Sequence, residues 1–177
     1  MTSGNSLGGI EFETRRATES DAAAIADAHL HSIRSLGPQF YSPGVVDDWS
    51  EGLGPGLYVE AMARGEVFFI AIGEIEGKMA VLGFASDYRI EGSLHGASAY
   101  VRGAVARRGI GSVLMRLAEA HAIARGARSV RIEASLAGLE FYRAHGFVEI
   151  DRGETHLRSG RPIACVFMEK QLRDLVS

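Results

Sequence analysis

The stretch Ala106-Arg107-Arg108-Gly109-Ile110-Gly111-Ser112 constrains the fold most strongly. It follows the apolar run Leu94–Val105 and opens the periodic segment Ser112–Arg125, so a strand, a glycine-rich turn and a helix start are expected in that order. Such a turn aims unpaired backbone N–H groups and the positive end of a helix dipole at one point. That point favours a phosphate. The glycines permit close approach, and Arg107 and Arg108 add fixed positive charge. Two other phosphate motifs fit worse. The dinucleotide fingerprint needs a third glycine where Leu114 stands. The P-loop spacing counted from Gly103 reaches Arg108, with no lysine after the next glycine. A plain helix start with a flexible turn stays open on this segment alone.

At 177 residues and 46% hydrophobic content, the chain suits one domain. The mixed element order described below is expected to give an α/β (α+β) fold with a mixed sheet. A net charge of −3 argues against a nucleic-acid surface. No apolar run is long enough to span a bilayer. The start Met1-Thr2-Ser3-Gly4-Asn5-Ser6 lacks the basic and apolar regions of a signal peptide. Cys165 is the single cysteine, which excludes an internal disulfide and makes a reducing cytoplasm the expected compartment. Residues 1–9 read as a disordered tail and residues 10–177 as the folded domain.

Glu11–Arg16 reads as a strand, followed by a helix from Thr18 to about Leu36 with Ala22, Ile25, His29 and Ile33 on one face. Asp21 three residues after Thr18 suggests a capping box. Ser42-Pro43 starts a second helix striped by Val46, Trp49 and Leu53, and Gly54-Pro55-Gly56 is expected to break the chain. Leu57–Arg64 is a short helix candidate. Val67–Ile75 and Met79–Asp87 read as a hairpin about Glu76-Gly77-Lys78. Leu94–Val101 is a strand, and in the helix after the turn Ile110, Leu114, Leu117 and His121 share a face. Ser129–Ala134 alternates as a strand, Gly138–His145 is a short helix, and Phe147–Asp151 and Ile163–Glu169 complete the sheet.

A second segment, Phe141-Tyr142-Arg143-Ala144-His145-Gly146-Phe147, lies 30 residues beyond the turn. The two segments together resemble the GCN5-related N-acetyltransferase (GNAT) family, over roughly Glu11 to Leu172. In that family the turn pattern [QR]-x-x-G-x-[GA] binds the pyrophosphate of acetyl-CoA, and a later A-x-x-F-Y-x-x-x-G-F segment carries a tyrosine acid. The resemblance implies a central mixed sheet whose fourth and fifth strands splay apart around acetyl-CoA, flanked by helices. It also implies an amine acceptor, either a small molecule or a protein, and a pairing into homodimers. Three positions depart from the pattern: Ala106 replaces Gln or Arg, Ser135 replaces Asn, and Gly138 replaces Ala.

On that resemblance the phosphate contacts fall to the backbone of Arg108, Gly109, Ile110, Gly111 and Ser112, with the Arg107 and Arg108 side chains adding charge. The alternative for both arginines is ordinary surface charge. An oxyanion donor is implied at the backbone near Val101, where the family strand bulges, and Ser135 lies on the cofactor side. Tyr142 is the candidate acid, since a phenol keeps its proton at neutral pH; the alternative is a core aromatic pair with Phe141. The candidate bases are His95, at the position where protein-acetylating members carry a glutamate, Glu91 and Glu133. Solvent, or an amine arriving deprotonated, is the remaining possibility. The acceptor segments offer Tyr41, Asp47, Asp48, Trp49, Glu51, Tyr88 and Glu91, which would suit a cation, or form a solvated helix face. No metal is expected: His29 and His31 do not face each other, and Cys165 sits in an apolar strand. An acyl-CoA-binding regulatory module without turnover is the alternative, and a dinucleotide-binding module a weaker one.

Overall fold

The structure, a computed structural model, describes residues 3–172. The chain runs β1 (Ser3–Leu7), β2 (Ile10–Arg16), α1 (Ala22–Leu36), α2 (Pro43–Ser50), α3 (Pro55–Ala63), β3 (Val67–Ile75), β4 (Lys78–Glu91), β5 (Leu94–Val101), α4 (Ile110–Ala124), β6 (Ser129–Ser135), α5 (Leu139–Ala144), β7 (Val148–His156) and β8 (Pro162–Gln171). One eight-stranded sheet results, in the order β1-β2-β3-β4-β5-β6-β8-β7. Every neighbouring pair is antiparallel except β5 with β6. No helix among the described residues is long and apolar enough to cross a membrane.

Two sequence expectations change. Residues 3–7 are not a loose tail: they pair with Ile10–Thr14 through a turn in which Gly8 and Gly9 take φ of 59° and 78°. The Gly/Ser content that suggests disorder also supplies this turn. Met1, Thr2 and residues 173–177 of the expected domain lie outside the described residues. Gly54-Pro55-Gly56 does not only break the chain, because Pro55 opens α3, where its fixed φ suits a helix and its missing N–H costs nothing. At the start of α1, Asp21 accepts the Thr18 N–H at 2.8 Å and grips Arg15 with both oxygens at 2.8 Å. Arg15, chiefly, holds the Asp21 carboxyl down to about 2.

Helices cover the sheet on both faces. α1 and α3 bury Ile25, Ala28, Tyr58 and Ala61 against Phe68, Ile70 and Phe84. On the other face α4 buries Ile110, Leu114 and Ala118 against Phe12, Ala71, Leu82 and Ala85. A third cluster joins Met115 of α4 and Tyr142 of α5 to Val130, Ile132, Val166 and Met168. Large apolar side chains buried this fully contribute about 1.5–3 kcal/mol each. The feature that positions the site is the β5–β6 pair. It holds only from Leu94–Gly96 to Ser129–Arg131. Beyond that, β5 stays with β4 as far as Val101, and β6 stays with β8 as far as Ser135. Held by different neighbours, the two strands part. Counted from β2 they are the fourth and fifth strands, so the expected splay is present.

Candidate active site

The glycine-rich turn sits at the mouth of this gap. Arg107 and Gly109 both take left-handed φ, 61° and 84°, and Gly109 caps α4. The first N–H groups of α4 then point out of the helix with its dipole behind them. Arg107, Gly109, Ile110, Gly111 and Ser112 line a cavity of about 540 Å3. Arg108 does not. Its Nη1 donates to the Gly8 carbonyl at 3.2 Å, and its stem packs where a Cβ on Gly8 would lie 3.0 Å away. The unexpected β1–β2 turn thus holds Arg108 off the cavity wall. Gly111 admits the Phe141 ring, which a Cβ there would meet at 3.0 Å. Ser112 Oγ lies 2.9 Å from His145 Nε2, while His145 Nδ1 lies 2.7 Å from the Phe141 carbonyl. A carbonyl only accepts, so Nδ1 carries the proton and, in the neutral ring, Nε2 accepts from the serine. This bond ties the start of α4 to the end of α5.

Tyr142 projects from α5 into the gap and lines the same cavity. Its hydroxyl accepts the Ala99 N–H at 3.1 Å. Burial pushes its pKa up to about 12, so the phenol is protonated at neutral pH. Gly138 lets the ring sit close, since a Cβ there would stand 3.1 Å from Tyr142 Cε2. Ser135 Oγ accepts the Gly138 N–H at 3.2 Å and closes this turn. Strand N–H groups alternate in direction, so if Ala99 points into the gap, Val101 does too. The expected bulge near Val101 is displaced: the β4–β5 ladder is regular from Gly83/Val101 to Arg89/His95, and its shift lies between Arg89 and Glu91. Val101 keeps its place on the wall through strand alternation alone.

Residues 64–149 match the family model of the acetyltransferase (GNAT) domain. The chain carries a GNAT acetyltransferase domain, and the protein is an acyltransferase. The whole described fold agrees. A GCN5-related N-acetyltransferase from Rhodopseudomonas palustris is 26% identical, with a TM-score of 0.75 over 96% of this chain and 98% of its own. The PaiA N-acetyltransferase of Thermoplasma acidophilum, solved with coenzyme A, superposes with a TM-score of 0.71 at 18% identity over 91% of this chain and 99% of its own. A phosphinothricin acetyltransferase of Sinorhizobium meliloti, solved with acetyl-CoA, gives 0.63 at 20% identity over 90% and 87%. These last two are likenesses of fold. No curated protein sequence matches the chain.

In this GNAT domain the candidate bases separate. His95 is fully buried and lies off the cavity wall. It donates from Nδ1 to Asp87 Oδ1 at 2.6 Å, and His121 Nδ1 reaches Asp87 Oδ2 at 2.8 Å. The three side chains join β4, β5 and α4 where β5 leaves β6. Glu91 is exposed at the far end of β4 and is also off the wall. Glu133 is on it. Alternation along β6 buries Val130, Ile132 and Ala134 toward α4 and α5, and turns Glu133 and Ser135 to the opposite face, beneath α1 and α2. Its charge reaches Tyr88, whose hydroxyl is held above its ordinary value by burial first, then by Glu66 and Glu133.

The acceptor candidates divide as well. Trp49 lines the cavity. Tyr41 braces it: its hydroxyl donates to the Ala164 carbonyl at 2.7 Å and accepts the Leu136 N–H at 2.8 Å. Asp48 is taken by Arg161 at 3.1 Å and Ser159 at 2.6 Å. Asp47 and Glu51 are exposed and off the wall, and Tyr88, 37% exposed as a residue with its hydroxyl end tucked against Gly96, is off it too. Sequence reasoning missed Tyr100 on the cavity wall and Asp87 between His95 and His121, where β5 leaves β6. A lone aspartate closing the apolar run Val81–Ser86 was the available signal for Asp87.

Proposed function

We propose that the protein transfers the acetyl group of acetyl-CoA to a primary amine, with Glu133 as base and Tyr142 as the proton donor to the leaving thiolate. What carries this reading is one cavity with two chemically different walls. The turn Arg107–Ser112 and Tyr142 belong to the α4–α5 side, and Glu133 faces the α1–α2 side. A thioester lying through the gap would meet the amine from the face opposite its anchor. Bound neighbours in the same fold, one with coenzyme A and one with acetyl-CoA, support the co-substrate.

The residues divide the work as follows. Backbone N–H groups of Gly109, Ile110, Gly111 and Ser112 hold the pyrophosphate, with Arg107 adding charge. The Val101 N–H faces the developing oxyanion. Glu133 takes a proton from the amine as the C–N bond forms. Tyr142 donates to sulfur as the C–S bond breaks, so the products are the acetamide and free CoA thiol. The test is Glu133→Gln, assayed by acetyl-CoA-dependent thiol release with a primary amine and by calorimetric CoA binding. The rate at saturation should fall by about 10²–10⁴ while CoA affinity holds. A variant with the parent's rate would remove Glu133 from this role.

A further inference from the structure

We infer that the acceptor is a monoamine with an aromatic or branched apolar body and no carboxylate; this rests on the acetyltransferase reading above and narrows it. The acceptor side of the cavity is mostly apolar, with Ser32, Gln39 and Ser98 as its neutral polar groups. Ile33 and Leu36 come from α1, Phe40 from the link to α2, Trp49 from α2 and Tyr100 from β5. Phe40 is 48% exposed, a large apolar surface at the rim that a ligand would cover. Trp49 is held edge-on between Tyr41 at 5.7 Å and Tyr100 at 6.5 Å. Tyr41 is pinned by its two backbone bonds. The aromatic wall is therefore fixed before any ligand arrives, so little ordering is needed on binding.

Charge narrows the class further. Glu133 and Glu140 are the carboxylates on the wall, and Glu140 is paired with Arg143 at 2.6 Å. The Glu133 carboxylate has no ion-pair or hydrogen-bond partner among the described residues, and so it can receive one amine. The extra ammonium groups of a polyamine would lie against apolar side chains, which desolvates them without pairing. An amino acid would bring a carboxylate beside Glu133. Among the described residues that line the cavity Arg107 is the one cation, and it stands at the glycine-rich turn; Arg102 is bound to Asp27 and, through Nε at 2.6 Å, to the Val81 carbonyl, and Arg158 lies exposed beside Gly52, off the wall. A pocket that pairs one charge and buries an apolar body selects against both.

Initial rates of thiol release at saturating acetyl-CoA, with 2-phenylethylamine, phenylalanine and spermidine as acceptors, test this. Phenylalanine differs from phenylethylamine by its carboxylate alone. The kcat/KM for phenylethylamine should exceed both others by at least about tenfold. Trp49→Ala, checked by circular dichroism, should shrink the phenylethylamine-to-spermidine ratio by about fivefold or more. Should that variant misfold, the order of the three acceptors in the unmodified protein still decides. Spermidine or phenylalanine equal to or better than phenylethylamine would overturn the inference and leave the acetyltransferase reading standing. No release with any of the three, in a protein that binds CoA by calorimetry, would overturn both.

Discussion

Replacing Tyr142 with phenylalanine removes one oxygen from the gap and keeps the ring that packs on Phe147 and Phe141. Two effects follow, and the structure sets the size of each. The Ala99 N–H loses its 3.1 Å partner. An unpaired amide costs about 1–3 kcal/mol when water is excluded. Ala99 lines the cavity, where the amide is open to replacement partners, so the loss belongs at the lower end. For a chain of this length that lowers Tm by roughly 2–6 °C. The second effect is on rate. With its pKa held near 12, the phenol is a weaker acid than a thiol of ordinary pKa, about 8.5. Proton transfer to sulfur therefore lags behind C–S cleavage, and in the transition state the Tyr142 hydroxyl contributes mainly as a hydrogen bond to sulfur carrying developing charge, about 1.5–3 kcal/mol. That predicts a fall in kcat of roughly 10- to 150-fold, with apparent acetyl-CoA affinity changed less than about fivefold. Steady-state thiol release and calorimetric melting measure both. A thioester with a more acidic thiol should lose less, because its thiolate needs less help. Equal losses with both thioesters would mean that Tyr142 positions the co-substrate. Full activity in the Phe variant would return Tyr142 to a packing role.

Gly111→Asp places a side chain against the Phe141 ring and a negative charge at the glycine-rich turn; CoA binding by calorimetry should be lost while circular dichroism shows the fold retained, and unchanged affinity would sink the proposed role of the turn. Arg107→Ala should weaken CoA binding by up to about tenfold, less at high salt, whereas Arg108→Ala, whose side chain is held by Gly8, should stay within about twofold. Equal losses at both positions would contradict the geometry. Burial holds His29 neutral, with its pKa down at about 3. Below pH 6.5 the unfolded chain binds a proton that the folded chain refuses, so stability is fully present above pH 6.5 and falls as pH drops toward 3, by about 1.4 kcal/mol per unit. His29→Gln, which can still reach the Tyr58 hydroxyl, should flatten that part of a urea-midpoint profile, and an unchanged slope would assign it elsewhere.

The order of elements was readable because each carries a local signal. The hairpin at Glu76-Gly77, the Ser42-Pro43 start of α2 and the alternation of Val130 and Ile132 are decided within a few residues. The glycine-rich turn and Tyr142, proposed as the phosphate cradle and the proton donor, were readable as paired motifs at a fixed separation. What escaped depends on distant neighbours. Arg108 looked equivalent to Arg107 until the β1–β2 turn, a hundred residues away in sequence, claimed it. His95 looked like a base because of its position, yet one strand residue's side chain faces Asp87 and α4 instead of the cavity. Glu133 was one carboxylate among three candidate bases until the splay of β5 from β6 put its face of the strand on the cavity. Tyr41, Asp47 and Asp48 made an acidic-aromatic cluster by sequence, but the β7–β8 hairpin draws off Asp48 through Arg161 and Ser159.

The most direct test of the account is a structure with CoA bound. The account predicts the pyrophosphate on the N–H groups of Gly109–Ser112, the chain of the cofactor running between β5 and β6, and the sulfur within hydrogen-bonding reach of the Tyr142 hydroxyl, with Glu133 on the opposite, α1–α2 side. CoA seated elsewhere, or threaded so that its sulfur lies away from Tyr142 and Glu133, would contradict it.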